Sequence, residues 1–443
     1  MNMKELRDRK YRYLMLAVLT AVFAFNLVDR LALGLVVQDV KFDLHLSDTQ
    51  IGLLQGIAFA FVYALVGIPI ARYSDRGNRV LIIVITTAIW SAAVAMCGLV
   101  ATFGQLVLIR VVVGFGEAGA MPPATSLIAD NFSRAERPRA NSIYMQAIPA
   151  GTLIGYMAGG WLNELYGWRT MFIGLGLPGL LLALLAWCFL KEPRREKSSE
   201  FTPPPTDASL MEVLRTLLAL RTYRRLLYAF SLMYFVSYAT TEWTPAYLQR
   251  SFGMKSGEIG TWLSVIYTVG CVLGTYLVGE WAARRAVCNE ALQLKGCALL
   301  SCACTIFCAF TYLPAAAPNY YWVMLWMGLF TLASMFYGPL FAVIQTLVPE
   351  HMIATAIALL YLFANLIGMG LGPWVTGALS DFLGPWAGNE SLRYALLAVF
   401  PACAWIAYHF WQASKSVTSD LLMIKRAQQG TFPHEPAVGL TDT

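Results

Sequence analysis

The chain has 443 residues, 58% of them hydrophobic and only 13% charged, with a formal net charge of +6 and a mean hydropathy of +0.58. A soluble domain carries about twice that share of charge, so the composition excludes one and describes a polytopic membrane protein. The surplus of Lys and Arg is therefore read for topology, and it carries no argument for a nucleic-acid partner.

A span needs about 20 mostly apolar residues. On that rule twelve are expected, roughly 13–38, 50–72, 80–101, 104–129, 138–163, 168–190, 223–248, 258–282, 291–313, 320–347, 352–381 and 391–413. The first run follows Lys4, Arg7, Arg9, Lys10 and Arg12; it is longer than a signal-peptide core and is read as a retained span. The polar stretch after the sixth run divides the chain into an N-terminal six-helix bundle (1–190), a linker (191–222), a C-terminal six-helix bundle (223–413) and a polar tail (414–443). Within the linker, Pro203-Pro204-Pro205 reads as extended, and Leu210, Val213, Leu214, Leu217 and Leu218 mark a short amphipathic helix at the membrane surface. With the N-terminus inside, inner segments hold 25 of the 32 Lys and Arg, outer loops hold Lys41, Arg169, Arg250, Lys255 and Arg393, and Arg30 and Arg110 lie within spans. This asymmetry predicts cytoplasmic termini. Glycine-rich fifth and eleventh spans repeat the same punctuation in the two halves, as expected for a carrier whose halves rock about a central site.

Charge inside the spans is the main functional signal, because an ionisable group at mid-bilayer costs roughly 2.5–3.5 kcal/mol on insertion scales. Arg110 and Glu117 stand seven residues apart in the fourth span, nearly two turns and about 10.5 Å, hence on one face. They read either as a structural ion pair or as a proton site in which Glu117 carries the proton. Asp29 and Arg30 lie mid-way along the first span. Asp29 offers Arg110 a second carboxylate; Arg30 either snorkels or pairs with Asp29. Two acids competing for one arginine leave one of them free to take up a proton, and the released arginine can then bind an anion.

In the C-terminal half Tyr238, Thr241, Glu242, Tyr267, Tyr337 and Asn365 fall where a cavity wall would be. Aromatics at such spacing are more often packing, but together they suggest a cavity apolar on one side and charged on the other, suited to an amphiphile. Glu242 reads either as a contact for a head-group amine or as an idle residue near the outer interface. On the turn after the second span, Asp75, Arg76 and Arg79 form a candidate latch, in which the Asp faces a helix N-terminus of the adjoining bundle and the arginines pair across the seam. Asp130 is grouped with them.

The turn Ala71-x-x-x-Asp75-Arg76-x-x-Arg79 resembles the G-x-x-x-D-R-x-x-R motif of the major facilitator superfamily, with Ala71 in place of its Gly. Arg110-x-x-x-Gly114-x-Gly116-Glu117-Ala118 resembles the superfamily's fourth-helix motif, where the arginine is associated with proton coupling. The glycines of span five resemble the antiporter motif, with Tyr156 in place of its proline. Asn26-Leu27-Val28-Asp29-Arg30, Gly116-Glu117-Ala118-Gly119, Gly167-Trp168-Arg169, Asp130-x-Phe132 and Trp243-x-Pro245-Ala246-Tyr247-Leu248 together look like the spinster branch, which includes sphingosine-1-phosphate and lysophospholipid transporters. The resemblance implies an all-α fold of two pseudo-symmetric six-helix halves. It also implies a buried network of Asp29, Arg110 and Glu117, with Glu117 as the protonation site.

The expectation is thus a monomeric carrier of the bacterial inner membrane, surrounded by lipid, coupled to protons and taking lysolipid or sphingosine-1-phosphate-like amphiphiles. The alternatives are a multidrug–proton antiporter or an organic-anion–proton symporter. No H-E-x-x-H motif and no phosphate-binding G-x-x-x-x-G-K-[ST] loop occurs, so neither an enzyme nor an ATP-driven pump is expected. Nine cysteines without a C-x-x-C pair, and only four histidines, give no sign of a metal or cofactor.

Overall fold

The computed structural model describes residues 3–133, 136–192, 210–313, 319–348 and 352–428, and among them there is no strand. In lipid an unpaired backbone N–H or C=O costs several kcal/mol, so helices that satisfy their own backbone are the expected solution. The helices are α1 (Met3–Leu44), α2 (Asp48–Gln55), α3 (Ile57–Arg76), α4 (Arg79–Cys97), α5 (Phe103–Glu117), α6 (Met121–Asn131), α7 (Arg137–Met145) and α8 (Ala147–Phe189) in the first half. A short α9 (Leu210–Ala219) precedes α10 (Arg221–Phe252), α11 (Ser256–Arg285), α12 (Glu290–Tyr312), α13 (Tyr320–Ala333), α14 (Tyr337–Leu347), α15 (Ile353–Phe363), α16 (Gly372–Ala387), α17 (Ser391–Val399) and α18 (Pro401–Gln428). A π-helical stretch, Ala364–Leu371, joins α15 to α16.

Nine stretches among the described residues are long and apolar enough to cross a membrane. Two of these, 139–189 and 355–424, hold two crossings each. Gly167 breaks the first at φ 79°, a left-handed value that glycine tolerates, and the 3₁₀ turn Gly388–Glu390 breaks the second. α10 is as long as a span but less apolar, since it carries Glu242 and several Tyr and Thr. Grouped at these breaks, the helices follow the twelve runs expected from hydropathy.

Starts are set by side chains that accept orphan N–H groups. Ser47 with Gln50, and Thr102 with Gln105, form reciprocal caps on α2 and α5. Asn78, Asn289 and Asn319 cap α4, α12 and α13. Outward faces are apolar, with Leu99, Phe382 and Trp386 more than two-thirds exposed, as expected where lipid replaces water.

In the first half α8 packs against α1 and α4; in the second α18 packs against α10 and α12. The halves meet where α2 lies on α16 and α8 lies on α11. Both contacts sit towards the end of the bundle that carries Ser47, and both need glycine. A Cβ on Gly52 would stand 2.5 Å from Pro373 O. A Cβ on Gly160 would stand 2.5 Å from Ser256 O and 3.1 Å from Gly260 Cα. Neither site has room for a methyl group.

Candidate functional site

Asp29 and Arg30 on α1, Arg110 and Glu117 on α5 and Glu242 on α10 converge at mid-depth. Asp29, Arg110, Glu117 and Glu242 are each no more than 6% exposed. The pairing differs from the expectation. Glu117 goes to Arg30, whose Nη2 and Nε donate to Glu117 Oε2 at 2.7 and 3.1 Å, while Glu117 Oε1 accepts no hydrogen bond. Arg110 does not pair with Glu117: its guanidinium lies over the Phe59 ring, 5.3 Å from the centroid, and its Nε has no hydrogen-bond partner. Arg30 lies over the same aromatic patch, 5.0 Å from the Phe59 centroid and 5.3 Å from that of Tyr63. The reason is positional. Arg30 approaches Glu117 from another helix, α1, whereas Arg110 shares a helix with Glu117 and would have to reach along nearly two turns to meet it.

Asp29 is 1% exposed and neither of its oxygens accepts a hydrogen bond. Glu117 and Arg110 are its charged neighbours, and the Trp90 indole lies beside it. The alternative in which Arg30 pairs with Asp29 is not what the structure holds. Glu242 is not at the outer interface: it is buried against α1 beside Gly34 and accepts from Gln55 Nε2 at 3.2 Å. Three carboxylates and two guanidiniums therefore share one buried region. That leaves one negative charge in excess when all are ionised.

The remaining wall residues divide into groups. Tyr238 lies beside Arg30 and continues to Tyr234, ring centroids 5.8 Å apart. Tyr267 packs on Tyr156 across the seam between halves at 5.4 Å, with Thr241 and Thr244 next to its hydroxyl. Tyr337 belongs to a cluster with Phe230 and Phe341. Asn365 sits half-buried in the π-helical stretch. Together they give a site with charge on the α1–α5 side and aromatic rings on the α10 side.

Residues 14–373 match the sequence profile of the Major Facilitator Superfamily. The chain belongs to this superfamily. Its family and fold are those of transporters rather than enzymes. It is 30% identical over 407 residues to an MFS-type efflux pump of Mycolicibacterium smegmatis, covering 91% of this chain and 93% of that protein. It is 28% identical to protein spinster homolog 1 of Xenopus tropicalis, over 82% of this chain and 72% of the relative. A crystal structure of a bacterial homolog of the human lysosomal transporter spinster, inward-facing and unoccupied, matches with a TM-score of 0.78 at 28% identity, over 93% of this chain and 98% of that one.

The latch expected of this major facilitator is arranged otherwise. Arg79 is fully buried, and its Nη1 meets Asp130 at 2.7 Å and its Nη2 meets Glu192 at 2.5 Å. Its backbone N–H also donates to Glu192 at 2.7 Å. These bonds tie α4 to α6 and to the chain after α8, all within the first half, so Arg79 does not pair across the seam. The side chains of Asp75 and Arg76 lie outside the described residues.

An ionic cluster that does cross the seam lies at the opposite end, and sequence reasoning missed it. Asp48, at the first turn of α2, is 2% exposed. It accepts from Arg250 Nη1 and Nη2 at 2.7 and 2.6 Å, from Lys41 Nζ at 2.6 Å and from Ser380 Oγ at 2.6 Å. Asp381 on α16 accepts in return from the N–H groups of Asp48 and Thr49, at 3.0 and 2.7 Å, which caps α2 from the other half. Glu164 does the same for α11, accepting from Gly257 N at 2.9 Å. The signal available was the Ser47-Asp48-x-Gln50 helix start next to loops that hold few basic residues.

Proposed function

We propose that this chain is a proton-coupled secondary carrier of anionic amphiphiles of the lysolipid or sphingosine-1-phosphate kind, with Glu117 as the protonation site. The observation that carries the reading is the buried Arg30–Glu117 pair in a region where carboxylates outnumber guanidiniums by one. Net charge in a low-dielectric interior is costly, so one bound proton neutralises the site. Protonation of Glu117 releases Arg30. Arg30 and the uncommitted Arg110 then face the same region and can take a phosphate or carboxylate, while Tyr238, Tyr234 and the aromatic cluster receive an apolar tail. Loss of the proton restores the pair and expels the anion, so proton and substrate move in linked steps.

Two six-helix halves, joined by 191–222, rock about this site. The distribution of Lys and Arg puts the Arg79 end and both termini in the cytoplasm. The end sealed by Asp48 then faces outward, and the conformation is inward-facing, as in the related structure. A second reading, a cation–proton antiporter, is supported by the identity to the mycobacterial efflux pump and by Glu242 as a buried counter-charge for a cation.

The test is substrate uptake and proton flux in proteoliposomes under an imposed pH gradient, with a lysophospholipid, a sphingoid phosphate, a cationic drug and a hexuronate. Glu117→Gln, which mimics the protonated form, is expected to keep substrate binding and lose gradient-driven accumulation. Retained pH-driven accumulation in that variant overturns the mechanism. Transport of the cationic drug alone replaces the substrate class with the second reading.

A further inference from the structure

At the Arg79 end, away from the charge network, a cavity of about 570 Å³ opens between the start of α10 and the middle of α18. It is lined by Arg221, Arg224, Arg225, Lys415, Ser416 and Ser419, with no carboxylate among its lining residues. Among the described residues no ion pair reaches any of these four cations. Asp420, next to Ser419 in α18, accepts from Thr222 N at 2.7 Å and caps α10. Ser416 Oγ is held by Thr222 Oγ1 at 2.7 Å, so the polar wall of the cavity is fixed. Four positive charges of two helices thus converge on one open volume with no ion pair among the described residues, which the mere placement of basic residues on one side of a membrane does not require.

The helix surface beside the cavity has a second property. Tyr228 lines the cavity and is half exposed, and Trp405, Tyr408 and Trp411 on α18 are likewise half exposed. Arg225 lies over the Tyr408 ring at 5.7 Å and meets His409 Nδ1 at 3.4 Å. Lys295 from α12 lies over Trp411 at 5.9 Å. Amphipathic rings of this kind sit at head-group level, so they mark the depth of the cavity in the bilayer. A basic recess between helices, with hydroxyls inside and an aromatic collar towards the acyl chains, has the layout of an anionic lipid site.

We infer that this recess binds the phosphate head group of an anionic phospholipid of the surrounding leaflet. The phosphate is held by Arg221, Arg224 and Lys415, and the acyl chains run down the face of Tyr228 and Tyr408. Because Arg221, Arg224 and Tyr228 lie on α10 and Lys415 on α18, the lipid staples the first helix of the second half to its last.

The test is native mass spectrometry of the delipidated, detergent-purified full chain, titrated with phosphatidylglycerol, phosphatidylcholine and inorganic phosphate. Phosphatidylglycerol is expected to bind in preference to phosphatidylcholine, with an affinity that falls as salt rises. The triple variant Arg221→Gln, Arg224→Gln, Lys415→Gln is expected to lose on the order of 100-fold in phosphatidylglycerol affinity. The single Arg224→Gln, at an exposed position, loses about fivefold and serves if the triple variant does not fold. Equal binding of the two lipids, or unchanged affinity in a folded variant, overturns the inference. Displacement of phosphatidylglycerol by equimolar inorganic phosphate overturns it too, in favour of a soluble anion.

Discussion

Asp48→Ala should open the end of the transporter that the structure shows closed. Of the four donors on Asp48, Lys41 belongs to the same half and stays with it in any conformation; only Arg250 and Ser380 cross the seam. The stabilisation specific to the closed state is therefore the bidentate Arg250 pair plus one hydroxyl bond. Stripping one partner from a buried pair costs about 3–5 kcal/mol. Arg250 keeps 12% exposure, so part of the charge is recovered by water. A figure of about 2–3 kcal/mol follows, which shifts the open-to-closed ratio by roughly 30- to 150-fold. Asp381 still caps α2 in this variant, so full opening requires Asp381→Ala as well. The assay is a double electron–electron resonance distance between spin labels at Phe42 and Phe382, both exposed and on opposite halves, in a protein whose exposed Cys188, Cys288 and Cys302 are serine. A long-distance population should appear in Asp48→Ala and dominate in the double variant. An unchanged distance distribution in a folded Asp48→Ala protein would refute the assignment of Asp48 as the closing contact.

Arg30→Ala should be more damaging to proton coupling than Arg110→Ala, because it strands Glu117 in a fully buried position, while Arg110→Ala should chiefly weaken anion binding; proton flux and equilibrium ligand binding on the two proteins separate these outcomes. Gly160→Val should abolish closure of the Ser47 end, since its Cβ meets Ser256 O at 2.5 Å; transport is lost while the same label pair reports the long distance. Glu192→Gln should lower the midpoint of thermal unfolding without changing substrate affinity. Arg79 is wholly buried and keeps only Asp130 as a charged partner, a loss of about 2–3 kcal/mol. An unchanged melting curve would count against a structural role for that cluster.

The all-helical fold and its spans were legible because a bilayer imposes length and apolarity on every crossing. The members of the charge cluster were legible for the same reason, since Asp29, Arg30, Arg110, Glu117 and Glu242 break runs that should carry no charge. Their partners were not. Which arginine meets Glu117 depends on the rotation and depth of α1 relative to α5, and hydropathy does not report either. Arg79 was read as reaching across the seam because it stands on a tight turn between two spans beside Asp75 and Arg76, and the sequence does not reveal that Glu192, more than 100 residues later, returns to meet it. Asp48 escaped notice since an acid at a helix start is explained by capping alone. Its second task appears only when Arg250 and Ser380 are brought to it by the other half.

The glycine contacts at Gly52 and Gly160 bear on how such a seam can move. There the closest approach of the halves is main chain to main chain, and the side chains that meet around it, such as Ser256 Oγ on Gly160 O, lie at its edges. Interlocked side chains would have to change rotamer before the surfaces could part, and each parting would uncover large apolar areas. Two smooth backbone tracks slide or separate as rigid bodies, leaving the making and breaking of the contact to a few removable polar ties at the rim. The close approach thus makes the joint tight when shut and quick to release, which is the mechanical property a gate needs.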